Sequence, residues 1–251
     1  MIWICLLVYI FVALSFTSTK RKEVVCSNLK LIVNDTFHNR FLDREDILKL
    51  LEMKYKRIIG TTIDSLDVST IENIINAHPV IKQAQIYKTI YGTIEIEIEQ
   101  RNPILRIYDA KNNSFYIDDS GAFIPTSPKY AVRTLIANGQ IKALSNANKK
   151  IVCEGDTIDQ SLCDLFKLAK FIYNSNFWSA QIEQIYITEN NEFELIPKVG
   201  DFIIQFGNIS EMEGKFEKLD AMYNEAFKRV GWNKYKAINL KFKDQVICVK
   251  R

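Results

Sequence analysis

Residues 93–99, Thr-Ile-Glu-Ile-Glu-Ile-Glu, decide how the first part of the chain folds. Isoleucine and glutamate alternate strictly here, and successive side chains of a β-strand point to opposite faces of its sheet. The stretch therefore predicts a strand with one face buried against a core and the other solvated. Glutamates on the solvated face lie about 6.6 Å apart, which is too far for shared coordination of a cation by themselves. The pattern indicates a structural strand and no metal site.

The residues before this strand predict two helices and two more strands. Asp43 and Asp67 can each cap the N-terminus of a helix whose apolar residues recur at intervals of three and four. Alternating or apolar runs predict strands at 29–33 and 80–87. The order of elements over residues 24–101 is therefore β-α-α-β-β, which is a compact α+β module.

A second, strand-rich domain is predicted after the break at Arg101-Asn102-Pro103. Residues 126–157 contain only short apolar runs, and their polar centre is interpreted as a loop. Beyond them we expect a mixed β domain with amphipathic helices and a C-terminal β-hairpin. Its elements are predicted at 104–108, 114–117, 159–172, 182–188, 192–196, 202–206, 210–230, 237–242 and 245–250.

Composition and motifs argue against an enzyme. The chain has 251 residues, of which 47% are apolar and 25% charged, so wholesale disorder is excluded. The 33 Lys and Arg nearly cancel the 30 Asp and Glu, and nucleic-acid binding needs a clustered positive excess. Glycine-rich phosphate loops are missing. Only His38 and His78 are available for histidine-dependent chemistry, so we predict no catalytic residue, no cofactor and no small-molecule substrate.

The N-terminus carries a membrane signal. Residues 1–19 have no charged side chain, and as a helix they would reach about 28 Å, close to a hydrocarbon core of about 30 Å. Lys20-Arg21-Lys22 ends the run. The first interpretation is a transmembrane anchor, and the alternative is a secretory signal cleaved near Ala13-Leu14-Ser15. The basic cluster favours keeping its end in the cytoplasm, although long domains can translocate regardless of flanking charge.

The cysteines leave two interpretations open. Cys5 lies in the apolar segment, and the other four are Cys26, Cys153, Cys163 and Cys248. No Cys-x-x-Cys is present and neither histidine has metal-ligand spacing, which argues against zinc. Four cysteines could form two bridges in an oxidising compartment, but buried apolar fillers are the interpretation favoured here.

The final predicted strand, residues 245–250, is the candidate interaction site. If it lies at the edge of its sheet, its unpaired N–H and C=O groups form a template for another chain. The alternative is an internal strand that is buried on both faces. Ile247 and Val249 share one face, Val246 and Cys248 share the other, and one of these pairs should face the core.

Short motifs occur at residues 78–84, 99–104, 116–121, 177–185 and 231–235. In this order they resemble the FtsQ/DivIB family of bacterial cell-division proteins, and in particular its Bacteroidetes branch. His78-Pro79-Val80-Ile81-Lys82-Gln83-Ala84 is similar to the end of the second helix of the family's POTRA domain. Glu99-Gln100-Arg101-Asn102-Pro103-Ile104 resembles the family's junction between domains, and Tyr116-Ile117-Asp118-Asp119-Ser120-Gly121 resembles a turn of its β domain. The stretches 177–185 and 231–235 resemble that branch.

The resemblance implies an inner-membrane type II protein with its C-terminal domains in the periplasm, located at the division septum. The implied organisation is a transmembrane anchor (1–19), a juxtamembrane linker (20–23), a POTRA domain (24–101) and an FtsQ-type β domain (102–251). The basic cluster Lys20-Arg21-Lys22 then lies on the periplasmic side, against the usual charge rule.

The resemblance also implies a non-enzymatic scaffold that binds FtsB and FtsL through β-strand addition to its last strand. The partner site is predicted at Gln245, Val246, Ile247, Cys248 and Val249, extended by Trp232 and Tyr235, although Trp232 could equally belong to the core. Two alternatives remain: a POTRA-bearing periplasmic adaptor of outer-membrane protein assembly or secretion, and a secreted enzyme, which the missing catalytic constellation disfavours.

Overall fold

The described residues in the computed structural model are 3–4, 8–11, 24–34, 41–55, 57–142, 152–154 and 159–251. Residues 3–4 and 8–11 are helical. Among the described residues, no helix combines the length and the apolar character needed to cross a membrane. The predicted anchor at 1–19 lies largely outside the described residues, and the predicted linker at 20–23 lies wholly outside them.

The chain divides into two compact units, Met1–Arg101 and Asn102–Arg251. The first unit contains a three-stranded sheet built from β1 (Asn28–Asn34), β2 (Ile81–Lys88) and β3 (Thr93–Gln100). β3 is the central strand, parallel to β1 and antiparallel to β2. Its isoleucines, Ile94, Ile96 and Ile98, are at most 1% exposed, as the alternation at 93–99 predicts.

Two helices cover the buried face of this sheet, α1 (Arg44–Lys54) and α2 (Val68–Asn76), with a 3₁₀ turn at Ile63–Ser65 before α2. Asp43 forms a capping box with Asp46, because each side chain accepts the other's backbone N–H. Asp67 caps α2 by accepting the N–H of Thr70. Both predicted caps and the β-α-α-β-β order are therefore confirmed.

The second unit is built on a nine-stranded sheet. Its strands are β4 (Pro103–Tyr108), β5 (Ser114–Asp118), β6 (Phe123–Pro125), β7 (Leu135–Gly139), β8 (Ile182–Ile187), β9 (Phe193–Pro197), β10 (Ile203–Gly207), β11 (Tyr235–Asn239) and β12 (Ile247–Lys250). Their order across the sheet is β12-β11-β10-β9-β8-β7-β4-β5-β6. The sheet is mixed: β7 lies parallel to both β4 and β8, and β10 is parallel to β11.

Helices pack against one face of this sheet and form a single core with it. They are α3 (Gln160–Asn174), α4 (Asn176–Gln181), α5 (Met212–Ala221) and α6 (Phe227–Val230), with a π-helical turn at Met222–Ala226 between the last two. Together α5, the π-helical turn and α6 confirm the predicted helix at 210–230, whose aromatic residues Phe216, Tyr223 and Phe227 are buried. Gly231, with φ of 82°, ends it.

The turn after β5 has a structural role. The Asp118 carboxylate is fully buried and accepts the N–H groups of Ser120 at 2.9 Å and Ala122 at 2.8 Å. Gly121 adopts the left-handed region with φ of 87°. The interpretation of Asp118-Asp119-Ser120-Gly121 as a turn is therefore confirmed.

One strand of the second unit was not predicted, and one expectation for this unit was wrong. The strand that was missed is β7, a central strand with only five residues within 126–157. The loop predicted in the polar centre of that stretch lies outside the described residues. Cys153 and Cys163 form a disulfide instead of serving as separate apolar fillers. The Val152 N–H donates to the Gly121 carbonyl at 3.0 Å, which fixes the segment before Cys153 so that it meets α3. Cys26 and Cys248 are free thiols.

Candidate functional site

The last strand lies at one edge of the nine-stranded sheet, so the alternative of an internal strand was wrong. β12 pairs antiparallel with β11, placing Ile247 opposite Asn239, Cys248 opposite Ile238 and Val249 opposite Ala237. The strand begins at Ile247. Gln245 and Val246, which were predicted within it, precede it and follow the turn at Lys243-Asp244.

The two faces of the predicted segment 245–250 differ as predicted. Val246 and Cys248 are partly buried against the core of the second unit. Ile247 and Val249 are 40% and 39% exposed on the opposite face of the sheet. Burial raises the pKa of the Cys248 thiol, which keeps this side chain neutral and apolar in character.

The hydrogen-bond pattern shows which backbone groups of β12 point away from the sheet. The Arg251 N–H donates to the Lys234 carbonyl at 3.3 Å, so it faces β11. Because N–H groups alternate in direction along a strand, those of Val249 and Ile247 also face β11. The N–H groups of Cys248 and Lys250 point outward, and neither has a partner within the described part of the chain.

A lysine holds the turn before β12 in place. The Lys218 ammonium on α5 donates to the carbonyls of Leu240 at 3.3 Å, Phe242 at 2.5 Å and Lys243 at 3.1 Å. We call these three contacts the Lys218 clamp. The clamp ties the turn to α5, and the β12 ladder begins after this turn, at Ile247.

A groove of about 390 Å³ lies between the π-helical turn and the segment before β12. Met222, Ala226 and Val246 are among its apolar lining residues, and Arg229 and Asp244 are among its charged ones. Because Val246 also packs against the core on the side of Cys248, the groove opens on the helix-covered side of the β12 edge.

The two aromatic residues assigned to the partner surface have different positions. The Trp232 ring lies 4.7 Å from that of Phe227 and 5.1 Å from that of Tyr223, measured between ring centroids. This packing gives Trp232 a structural role at the end of the helix. Tyr235 is half-buried at the start of β11, opposite Lys250.

One edge of the other sheet, the strand β2, has its outward donors occupied. In β2, the N–H of Ala84 donates to the Asn76 side-chain oxygen at 2.8 Å, and that of Ile86 donates to the Glu72 carboxylate at 2.9 Å. Both acceptors lie on α2. Side chains thus occupy two outward donors of β2, whereas those of Cys248 and Lys250 on β12 stay open.

Comparison with known families identifies both units. A family model described as FtsQ/DivIB, C-terminal related matches residues 102–249. The chain belongs to the FtsQ/DivIB family. A second model, described as a POTRA-like domain, matches residues 24–99. No curated protein matches the chain.

Membership of the FtsQ/DivIB family brings a general functional context. It is a family of non-enzymatic scaffolds in cell division, associated with the division septum, and it implies divisome proteins as partners in general. The resemblance drawn from the sequence motifs is confirmed, as is the POTRA-like fold of the first unit.

The structure describes one of the two histidines of this FtsQ/DivIB member. His38 lies outside the described residues. The Nδ1 atom of His78 accepts the Val80 N–H at 3.4 Å, and burial lowers the pKa of the imidazole. His78 is therefore a neutral acceptor at the end of α2, and not the cation that would favour a helix C-terminus. In the described part of the chain, no three His, Cys, Asp or Glu side chains form a metal-binding group.

Sequence reasoning did not find the Lys218 clamp or the side-chain caps on β2. Lys218 lies more than twenty residues from the carbonyls that it binds, and Glu72 and Asn76 look like ordinary solvated residues of an amphipathic helix. Their roles depend on which strand becomes an edge, and only the sheet order gives that information.

Proposed function

We propose that this protein is a divisome scaffold that recruits FtsB- and FtsL-like proteins by β-strand addition to β12. In this mode the partner's backbone pairs with the free edge of the sheet, and its alternate side chains determine specificity. Residues 1–19 anchor the protein in the inner membrane as a type II protein, and the two units lie in the periplasm at the septum.

The observation that carries the proposal is the contrast between two sheet edges. An open edge invites pairing with other chains, and proteins normally protect it. Asn76 and Glu72 occupy outward donors of β2. At β12 the outward N–H groups of Cys248 and Lys250 stay available, while Lys218 holds the adjoining turn in place. An unprotected edge on a fixed hairpin suits strand addition.

Charge around the edge indicates the chemistry of the partner. Residues 234–251 contain six basic residues and one acidic residue, a net charge of +5 in a chain whose total is +3. All six are exposed, and within the described residues Lys234, Lys236 and Lys250 form no ion pair. This basic hairpin favours a partner strand with acidic neighbours. It also disfavours pairing with a second copy, since two such hairpins would repel each other.

The groove beside β12 gives the edge a means of selecting side chains. An added strand would direct every second side chain toward the helix-covered side, where Val246, Met222 and Ala226 form an apolar lining. A partner strand with an apolar residue at that position would bury it there. The expected partner strand is therefore apolar at alternate positions and acidic at its ends.

The topology is tested with reporter fusions in living cells. A reporter that is active only in the periplasm, fused after Arg251, is expected to be active. The uncharged length of residues 1–19 supports this orientation, and Lys20-Arg21-Lys22 opposes it. Activity of a cytoplasm-only reporter at the same position would contradict the topology and leave strand addition to be judged by the next experiment.

Strand addition is tested by copurifying FtsB and FtsL with two variants of one residue. Lys250→Pro removes an outward donor and fixes φ near −65°, while the bond from Arg251 to Lys234 remains possible. Lys250→Ala removes the charge and keeps the N–H. We expect Lys250→Pro to lose the partners, and Lys250→Ala to retain most of them.

Two outcomes would contradict strand addition. One is recovery of FtsB at the wild-type level by a folded Lys250→Pro variant. The other is equal loss in both variants, which would indicate that the charge of Lys250, and not its N–H, holds the partner. Thermal unfolding of each variant shows whether the fold is retained.

A further inference from the structure

Four exposed apolar side chains lie at one end of the first unit. They come from the segment before β1, the loop after α1 and the turn between β2 and β3. Val25 is 47% exposed, Ile59 51%, Ile90 64% and Tyr91 84%. We call these four residues the apolar tip. They lie outside the core that the sheet and the two helices of the first unit form together.

Backbone contacts hold the three segments of the apolar tip together. The Cys26 N–H donates to the Thr61 carbonyl at 2.8 Å, and the Ser27 N–H donates to the Gly92 carbonyl at 2.8 Å. A Cβ atom on Gly92 would lie 2.6 Å from the Val25 carbonyl oxygen, so this close approach requires glycine. The segment before β1 therefore lies directly against both the loop and the turn.

The turn that carries Ile90 and Tyr91 has an ordered backbone. The Thr89 N–H donates to the Thr93 carbonyl at 2.9 Å, and the Thr89 hydroxyl accepts the Thr93 N–H at 3.0 Å. These bonds satisfy the base of the turn, while its isoleucine and tyrosine side chains stay in solvent. A group of exposed apolar side chains on a fixed backbone indicates an interaction surface, because leaving them in water is unfavourable.

The length of the chain limits how far the apolar tip can lie from a membrane. Residues 1–19 are the proposed anchor, and Val25 follows residue 19 by six positions. A chain spans at most about 3.6 Å per residue, so Val25 lies within about 22 Å of the end of the anchor. The apolar tip is therefore at the end of the first unit that is tethered closest to the bilayer.

The charge of the same segments suits a bilayer that contains anionic lipids. Residues 20–27, 54–62 and 87–93 contain seven basic residues and one acidic residue, a net charge of +6. Two of the basic residues, Arg57 and Lys88, are exposed next to the apolar tip in sequence. Three acidic residues border these segments and leave the excess positive: Glu52, Asp64 and Glu95. Tyrosine together with basic side chains is typical of the interface between a membrane and water.

We propose that the apolar tip docks on the bilayer that holds the anchor, with Ile90 and Tyr91 among the lipid headgroups and Arg57 and Lys88 against anionic phosphates. The inference rests on the proposed function, because residues 1–19 must first anchor the chain. Four apolar side chains bind lipid weakly by themselves, but the anchor makes docking an intramolecular step with a high effective concentration. A second copy of this protein is the weaker occupant, since two tips of like charge would repel each other.

Fluorescence quenching by lipids with brominated acyl chains tests docking with the full chain. The purified protein is reconstituted alone and at low density into vesicles of phosphatidylethanolamine and phosphatidylglycerol, so lipid is the partner on offer. A fluorescent amino acid replaces Tyr91 in the apolar tip, Trp3 in the anchor, or Gln83, an exposed control on β2 about 17 Å from Lys88. We expect quenching at Trp3 and Tyr91 and none at Gln83.

Each result separates docking from the anchor on which it depends. Quenching at Trp3 without quenching at Tyr91 leaves the anchor standing and overturns docking. Equal quenching at Tyr91 and Gln83, which indicates general adsorption, also overturns docking. Quenching at Tyr91 that appears only at high protein density indicates a second copy and overturns it as well. Absence of quenching at Trp3 overturns the anchor and, with it, the docking that depends on the anchor.

A pair of substitutions measures the contribution of the apolar tip itself, read with the probe at Tyr91. Ile90→Asn should lower the ratio of docked to undocked molecules by about fivefold, because an isoleucine side chain would no longer be buried in the interface. Val33→Asn changes an exposed apolar residue near the other end of β1 and should leave the ratio unchanged. An unchanged ratio in a folded Ile90→Asn variant, or an equal fall in both variants, would overturn the inference.

The composition of the vesicle tests the electrostatic part of the inference. Replacing phosphatidylglycerol with zwitterionic phosphatidylcholine should lower the ratio of docked to undocked molecules, because Arg57 and Lys88 would lose their anionic partners. Quenching at Trp3 should stay the same, since the anchor is uncharged. An unchanged ratio in the zwitterionic vesicles would overturn the assignment of anionic lipid as the partner.

Discussion

Replacing Lys218 with methionine removes the ammonium of the Lys218 clamp and keeps a side chain of similar length. The ammonium donates to the carbonyls of Leu240, Phe242 and Lys243, all in the turn between β11 and β12. A hydrogen bond to a charged group contributes about 1.5–3 kcal/mol when it is buried. Lys218 is half-exposed and water can replace it at each carbonyl, so we expect a total loss of about 1–2 kcal/mol.

This loss should appear locally, in the opening of the hairpin. A change of 1.4 kcal/mol is a tenfold change in an equilibrium constant, so the amides of Ile247 and Val249 should exchange about tenfold faster in Lys218→Met. These amides face β11 and are protected only while β12 is paired. Amides of β8, such as that of Ile185, should exchange at unchanged rates because the rest of the sheet stays folded.

Native-state hydrogen exchange measured by NMR or mass spectrometry gives both rates in one experiment. The matched control is Lys228→Met, which removes an exposed lysine from α6. Unchanged exchange at Ile247 and Val249 would refute the argument that the Lys218 clamp holds the hairpin. Faster exchange throughout the second unit would refute its local character.

Three further predictions concern the rest of the chain. Asn76→Leu leaves the Ala84 N–H without its acceptor, so the free energy of unfolding measured in urea should fall by about 1–3 kcal/mol. An unchanged midpoint and slope of the urea transition would contradict the role of Asn76 as a cap on the edge of β2. The Cys153–Cys163 disulfide joins residues ten positions apart, and reducing it should lower the free energy of unfolding of the second unit by about 2.5–3 kcal/mol. The Cys153→Ala variant should not respond to the reductant, and an equal effect of reductant on this variant and on the wild type would contradict the prediction. Burial lowers the pKa of His78 below its ordinary 6.5. Below about pH 6.5 the imidazole is therefore protonated more readily in the unfolded state than in the folded state, and the free energy of unfolding should fall as the pH drops. Urea titrations at several pH values should show a weaker decline for His78→Gln, and identical profiles would refute this assignment.

The first unit could be predicted well because its signals are local. The alternation at 93–99 and the caps at Asp43 and Asp67 each act within a few residues, and the structure places all of them as expected. β7 could not be predicted in the same way. Its five residues, Leu-Ile-Ala-Asn-Gly, contain too few apolar side chains to show a period, and it is held as a strand by pairing with β4 and β8.

The candidate site could be predicted only in outline. The apolar residues of the last strand are visible in the sequence, and so is the division into two faces. Which N–H groups point outward depends on the register with β11, and that register selects the N–H groups of Cys248 and Lys250. The positive charge of the basic hairpin can also be counted from the sequence. Its position beside an open sheet edge is known only from the strand order, which places β12 at the end of the sheet.

The parallel pairing of β10 with β11 has a consequence for the order in which the molecule assembles. Ile203 meets Ala237 only after the intervening helical segment has docked, and closing so long a connection is entropically unfavourable and slow. Within the sheet β12 pairs only with β11, and an isolated two-stranded hairpin is marginally stable, so the edge is firmly held only after that step. A chain in which β11 has not yet joined β10 therefore lacks a stable template edge. For the strand addition proposed above, this order of assembly would restrict recruitment at β12 to molecules whose second unit has folded.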